Sequence, residues 1–172
     1  KAHILSKYIR TTEPISGKID YDVDGKLVGN WFAEGSGGYA PNFQTQDYYK
    51  THLSIAYDMY DPTSIVFSIG DYDGQPMQFG VKGNSPDPKN VSLETGLVKY
   101  ELVQQDWAEP KTGRGWDRDS LVRGIIAKNS DSVQGVALVK MLENRTVQVE
   151  VFPGKTASEV SGFSVNSKIY ER

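Results

Sequence analysis

The sequence predicts an all-β protein, and three observations carry that prediction. Apolar and polar residues alternate with a period of two in one segment after another, turn-forming pairs separate the segments at short intervals, and no stretch sustains the 3.6-residue apolar stripe of an amphipathic helix. About ten short antiparallel strands joined by short turns are expected to close into an up-and-down barrel of about eight to ten strands, with a two-sheet β-sandwich as the alternative.

The elements follow in chain order. Ile19, Tyr21 and Val23 alternate with Asp20, Asp22 and Asp24, and Asp24-Gly25 predicts a hairpin, because a type I′ turn needs positive φ at both central positions. Gly35 to Gly38 reads as a flexible loop. Period-two segments then fall at 52–58, 64–72, 77–83, 96–103, 120–127, 132–142, 146–152 and 167–172. Asp61-Pro62, Asp73-Gly74, Ser85-Pro86-Asp87-Pro88, Glu143-Asn144 and Pro153-Gly154 punctuate them with turn chemistry. Short helical candidates occur only at 45–50 and 155–160. In the strand 146–152, Val147, Val149 and Val151 share one face, and Thr146, Gln148 and Glu150 the other, so one face is wet. Gly124, Gly135 and Gly162, in or beside strands, predict the bends of a curling sheet. Residues 104–119, with Trp107, Pro110, Gly113, Gly115 and Trp116, read as an ordered surface loop, where binding function often resides.

The 172 residues suit a single domain spanning 1–172. No apolar run approaches the roughly 18 residues that cross a bilayer, so a membrane-spanning helix is not expected. A net charge of −3 and an acidic pI near 5.4 oppose nucleic acid as a partner, since phosphate binding draws on clustered Lys and Arg. The absence of cysteine removes disulfides, thiolate nucleophiles and cysteine metal sites. A chain starting at Lys1 rather than Met is expected to be processed, and an exported (periplasmic, cell-surface or secreted) location follows as the expectation.

The segment from Asp22 to Trp31, DVDGKLVGNW, resembles the lipocalin signature, with Lys26, Leu27, Gly29 and Trp31 in the matching positions. The resemblance implies a calycin-like barrel in which the tryptophan plugs the closed end and packs against an arginine of the last strand, here Arg172. The chain departs from the pattern in that a strand pair is expected ahead of Gly-x-Trp, and the family's Thr-Asp-Tyr turn has no counterpart. The segments GNSPDP, GLVKYEL and VEVFPGKTASEVSGF resemble an accessory β module of exported prokaryotic proteins, including certain cell-wall metallopeptidases. That resemblance implies attachment or targeting; the peptidase's histidine motifs are missing.

Candidate chemistry is sparse. Asp20, Asp22, Asp24 and Gly25 spell the first half of a calcium loop, but the twelfth position, which should be a bidentate Glu, is Trp31. Calcium at these three aspartates is one reading, and a solvated acidic strand face is the other. Only His3 and His52 are present, in no metal or triad pattern, and there is no G-x-S-x-G elbow. A hydrolase reading would need the carboxylates of Asp117 and Asp119, or of Asp58 and Asp61, to converge in a cleft. Aromatics are the stronger signal: Tyr39, Phe43, Tyr48 and Tyr49 follow the glycine loop, and Trp107 and Trp116 lie in the long turn. They would either border a ligand entrance or cover the barrel's ends as core. The leading expectation is a non-catalytic protein holding a small hydrophobic or amphipathic molecule inside a barrel. The alternatives are a solid barrel serving as an interaction or carbohydrate-attachment module, and a carboxylate hydrolase.

Overall fold

The computed structural model describes residues 9–15, 18, 21–38 and 48–172, with only the backbone of residue 48. Eight strands follow one another in chain order: β1 Gly29–Ala33, β2 His52–Tyr57, β3 Ile65–Tyr72, β4 Gln75–Val81, β5 Leu97–Ala108, β6 Ile126–Glu143, β7 Thr146–Pro153 and β8 Lys168–Glu171. Each pairs antiparallel with the next, and Phe32↔Glu171 and Ala33↔Tyr170 join β1 to β8, so the sheet closes as an up-and-down barrel. The closed ring excludes the two-sheet alternative, and an all-β fold, with three short 3₁₀ turns among the described residues, is what the alternation required.

Strand parity decides what fills the ring. Leu53 and Ile55 on β2, Phe67 and Ile69 on β3, Phe79 on β4, Tyr100 and Leu102 on β5, Val139 on β6 and Val147 on β7 all turn inward and are buried. Trp31, Phe67 and Tyr100 lose their entire surface, and the Phe67 and Tyr100 rings lie 4.9 Å apart. The barrel is packed through by its own side chains, as small barrels can be.

One end is closed by a set of specific bonds. The Trp31 Nε1–H donates to the Leu27 carbonyl at 2.9 Å, and the Arg172 guanidinium stacks on the indole ring at 4.0 Å. That guanidinium also donates to the carbonyls of Val28 (2.7 Å), Lys26 (2.8 Å) and Val23, tying the chain that enters β1 to the end of β8. Gly29 takes φ +143, and a Cβ there would run into Arg172 Nη1 and Asp22 Oδ1, so only glycine fits. The loop 82–96 completes the closure: its Val91 is buried against the barrel core, Tyr100 Oη donates to the Pro86 carbonyl at 2.9 Å, and Tyr57 Oη donates to Asp87. The Trp31–Arg172 stack is the pairing the lipocalin resemblance implies, and the architecture is compatible with a calycin-like fold. The other resembling segments also touch: Pro86 meets Tyr100, and Ala157 bonds to Lys99 and Glu101.

Several local expectations are corrected. Asp24-Gly25 does form a turn, with Lys26 N–H donating to Val23, but Tyr21 to Val23 form no strand and a loop leads into β1. The alternation there is overridden because Arg172 takes carbonyls that a hairpin ladder would use. Residues 120–125 are loop rather than strand, and 155–160 are turns rather than helix. Residues 104–108 belong to β5, a strand of 12 residues that with the 18-residue β6 runs beyond the barrel as a two-stranded ribbon. The ribbon leaves the wall at bulges beside Val103, because β4 pairs with β5 only at Gly80↔Val103 and Val81↔Leu102. Gly135 sits opposite the first bulge, where a Cβ would lie 2.6 Å from Tyr72 Oη and 2.8 Å from the Phe152 carbonyl.

Candidate functional site

The ribbon does not project into solvent. Gln105 Nε2 donates to Ser64 Oγ and Asn129 Oδ1 (2.9 Å each), Asn129 Nδ2 donates to the Val81 carbonyl (2.8 Å), and Ala127 N–H donates to Asp61 (3.0 Å). These bonds fold the ribbon against the β2–β3 connection, where Ile9, Trp116 and Ile125 make a second small core. Trp107, beside that core, donates its indole N–H to Asp58 at 3.0 Å, carries the Arg118 guanidinium at 4.5 Å, and meets the edge of Tyr60 at 6.3 Å.

Between Trp107 and the outer face of β2–β4 lies a concavity of ≈ 470 Å³, lined by Ser54, Ser68, Gln78, Met59, Tyr60 and Trp107 among others. A second concavity of ≈ 240 Å³ shares Ser54 and Ser68 and continues to Asn30, Phe32, Tyr49 and His52. Their common floor has an order. Asn30 pairs with Ser54, Ser54 with Ser68 and Ser68 with Gln78, so four strands present one cross-strand row of small amides and hydroxyls. The two concavities thus form one groove over the barrel wall, with Tyr49 at one end and Tyr60 and Trp107 at the other.

The electrostatics are mild. Burial raises the Tyr60 hydroxyl above its ordinary value, the Asp58 carboxylate adds to this, and Arg118 opposes it. Burial lowers His52, whose ring stands edge-on to Phe32 at 5.2 Å. The carboxylates are engaged in holding backbone: Asp58 accepts from the Tyr60 and Asp61 N–H groups and the Trp107 indole, and Asp61 accepts from Thr63 and Ala127. Exposed Asp117 accepts from the Asp119 and Ser120 N–H groups, which hold its carboxyl below the usual range. Asp58, Asp61 and Asp117 thus each accept hydrogen bonds that hold the local backbone in place.

Among the described residues, the aromatic side chains read from the sequence, Tyr49, Trp107 and Trp116, do not share one mouth. Tyr39 and Phe43 lie outside the described residues, and Tyr48 opens a 3₁₀ turn of which only the backbone is described. Tyr49 and Trp107 mark opposite ends of the outer groove, while Trp116 keeps 7% of its surface and donates its indole N–H to the Ser120 carbonyl as a core residue of the ribbon. Of the calcium trio, Asp20 is outside the described residues. Asp22 accepts from the Asn30 N–H at 2.6 Å and pairs with Arg172 at 3.7 Å, and Asp24 lies 3.9 Å from Arg145. Asn30, Ser54, Tyr60, Ser68 and Gln78 were missed by the sequence reading; their signal is that wet positions of predicted strands are short amides and hydroxyls instead of Lys and Glu. Compared with protein-family models, curated proteins and solved structures, the chain matches none.

Proposed function

We propose that this is a non-catalytic binding module that holds an extended carbohydrate chain in the outer groove. The observation that carries the reading is the Asn30–Ser54–Ser68–Gln78 row, which crosses the groove at mid-length between its Tyr49 end and its Trp107–Tyr60 end. Sugars present apolar ring faces and a rim of hydroxyls, so they suit aromatic side chains at the ends and short donors and acceptors between. The packed interior favours this surface over a hydrophobic ligand held inside, because an internal guest would have to displace Phe67, Tyr100 or Phe79. The same reading takes the barrel as lipocalin-like, supported by Gly29, Trp31 and Arg172, and places it in an exported setting where glycans occur.

Retention on cellulose, chitin, xylan and peptidoglycan, followed by calorimetry on soluble oligomers of any that hold the protein, tests the proposal. Trp107→Ala is expected to abolish retention, and Ser68→Phe, which fills the centre of the groove on an exposed strand position, to do the same. Retention unchanged by both variants sinks it. An organic molecule released from the purified protein on denaturation, seen by native mass spectrometry, would return the ligand to the interior.

A further inference from the structure

A second surface, independent of the groove, arises where the barrel wall is incomplete. Pairing between β7 and β8 ends at Val149↔Lys168, yet β7 continues to Pro153. Hydrogen-bond parity shows which main-chain groups this leaves facing the gap. The Arg172 N–H donates to the Arg145 carbonyl across β7 and β8, and the Gly154 N–H donates to the Gln134 carbonyl across β7 and β6. Odd-numbered residues of β7 therefore turn their main chain toward β8, and even-numbered ones toward β6. The Val151 N–H and C=O and the Pro153 C=O point past the start of β8 into a slot of ≈ 370 Å³, one side of which is Val149 to Pro153. The loop leading into β8 passes outside the wall, because the Ser164 N–H and Oγ are bound to the outward Glu150 carboxylate.

We propose that this slot takes the carboxyl end of an extended peptide, added to the edge of β7 as a further strand. Open strand edges accept such guests through main-chain bonds. The four β7 residues past Val149, Glu150 to Pro153, at about 3.3 Å each match a guest of about three to four residues. A guest antiparallel to β7 runs in the direction of β8 and directly ahead of it, so its last residue arrives where Lys168 occupies the next place in the wall. The chain must end there. Lys168 supplies an ammonium at that point, now paired with Asp71 at 3.0 Å, and Lys155 lines the slot while pairing with Glu159 at 3.6 Å. With Glu150 held by Ser164, Asp71 is the one lining carboxylate that competes with a terminal carboxylate for these cations. Inward side chains of the guest would meet Val149, Val151 and Tyr170, which favours apolar residues at alternate positions.

The test uses acetyl-Thr-Val-Thr-Val with a free carboxyl terminus, its C-terminal amide, and the full isotope-labelled chain. In the free protein the Val151 amide is expected to exchange with solvent faster than that of Phe152, which faces β6. Saturation with the acid should slow it about tenfold or more. Val151→Pro removes the slot's one main-chain donor without touching the β6 ladder, and should weaken binding about five- to tenfold. Lys168→Gln should erase the preference for the acid over the amide. The proposal is overturned if Val151 is already as protected as Phe152, if acid and amide bind the wild type equally, or if Val151→Pro binds as the wild type does. Should Val151→Pro fail to fold, the exchange experiment and Lys168→Gln still decide.

Discussion

Strands β2, β3 and β4 carry two unlike surfaces on one backbone. Inward, Leu53, Ile55, Phe67, Ile69 and Phe79 interlock with the rest of the barrel and exclude water; outward, Ser54, Ser68 and Gln78 stand in register and remain open. The outer face of β6 and β7 is different again, since the loop after β7 lays Val160 and Phe163 over Val136, Leu138 and Phe152. Among the described residues, the chain therefore covers one outer wall and not the other. Where the bare wall is floored by short side chains rather than long solvated ones, a groove results. The inside accounts for stability, and the proposed ligand site lies on the outside.

The largest expected effect falls on the inside. Trp31→Ala should cost about 3–5 kcal/mol in urea unfolding, as deletion of a fully buried aromatic does. A loss below about 1 kcal/mol would show that the closed end does not support the barrel. Arg172→Ala should cost about 2–4 kcal/mol, since it strips the donor from the carbonyls of Lys26 and Val28 and the cation from Trp31. The two losses should be less than additive, because each residue holds the other.

The ribbon sharpens the contrast, because its two tryptophans are expected to separate. Trp116→Ala should cost about 3 kcal/mol through the second core, measured by the same unfolding curve. Trp107→Ala should cost about 1 kcal/mol, chiefly the bond to Asp58, while losing polysaccharide retention. If Trp107→Ala proves as destabilising as Trp116→Ala, Trp107 belongs to the core and the groove lacks its anchor.

Much of this was legible from residue order and some was not, for identifiable reasons. Alternation in segments such as 52–58 and 146–152 marked their strands and buried faces, since a half-buried sheet imposes a period of two. The Gly29-x-Trp31 pattern located the closed end and its partner Arg172. Register was not legible: Asn30, Ser54, Ser68 and Gln78 come from four strands and become neighbours only through pairing. Nor was the ribbon, because Gln104 to Ala108 lack strict alternation; their extended form is fixed by partners Ile126 to Asn129 and by the bonds of Gln105 and Trp107 to the β2–β3 connection. Trp116 read equally well as mouth or core, and only its burial separates the two.

The smallest expected effect is a pH dependence at the Tyr49 end of the groove. His52 faces outward beside Phe32 and lines the concavity with Tyr49, and burial lowers its pKa from the ordinary 6.5. The folded state therefore binds this proton less readily than the unfolded chain, whose histidine titrates at the ordinary value. Its contribution to stability is fully present above pH 6.5 and is lost as pH falls through the lowered folded pKa. Unfolding free energy should decline slightly from pH 7 to 5, and His52→Gln, which keeps a hydrogen-bonding side chain without the titration, should flatten that part of the slope. Because His52 sits in the groove and not in the packed interior, polysaccharide retention should weaken over the same range in the wild type and hold steady in His52→Gln. A variant that keeps the wild-type pH slope in both measurements would remove His52 from the groove's account and leave Tyr49 alone to define that end.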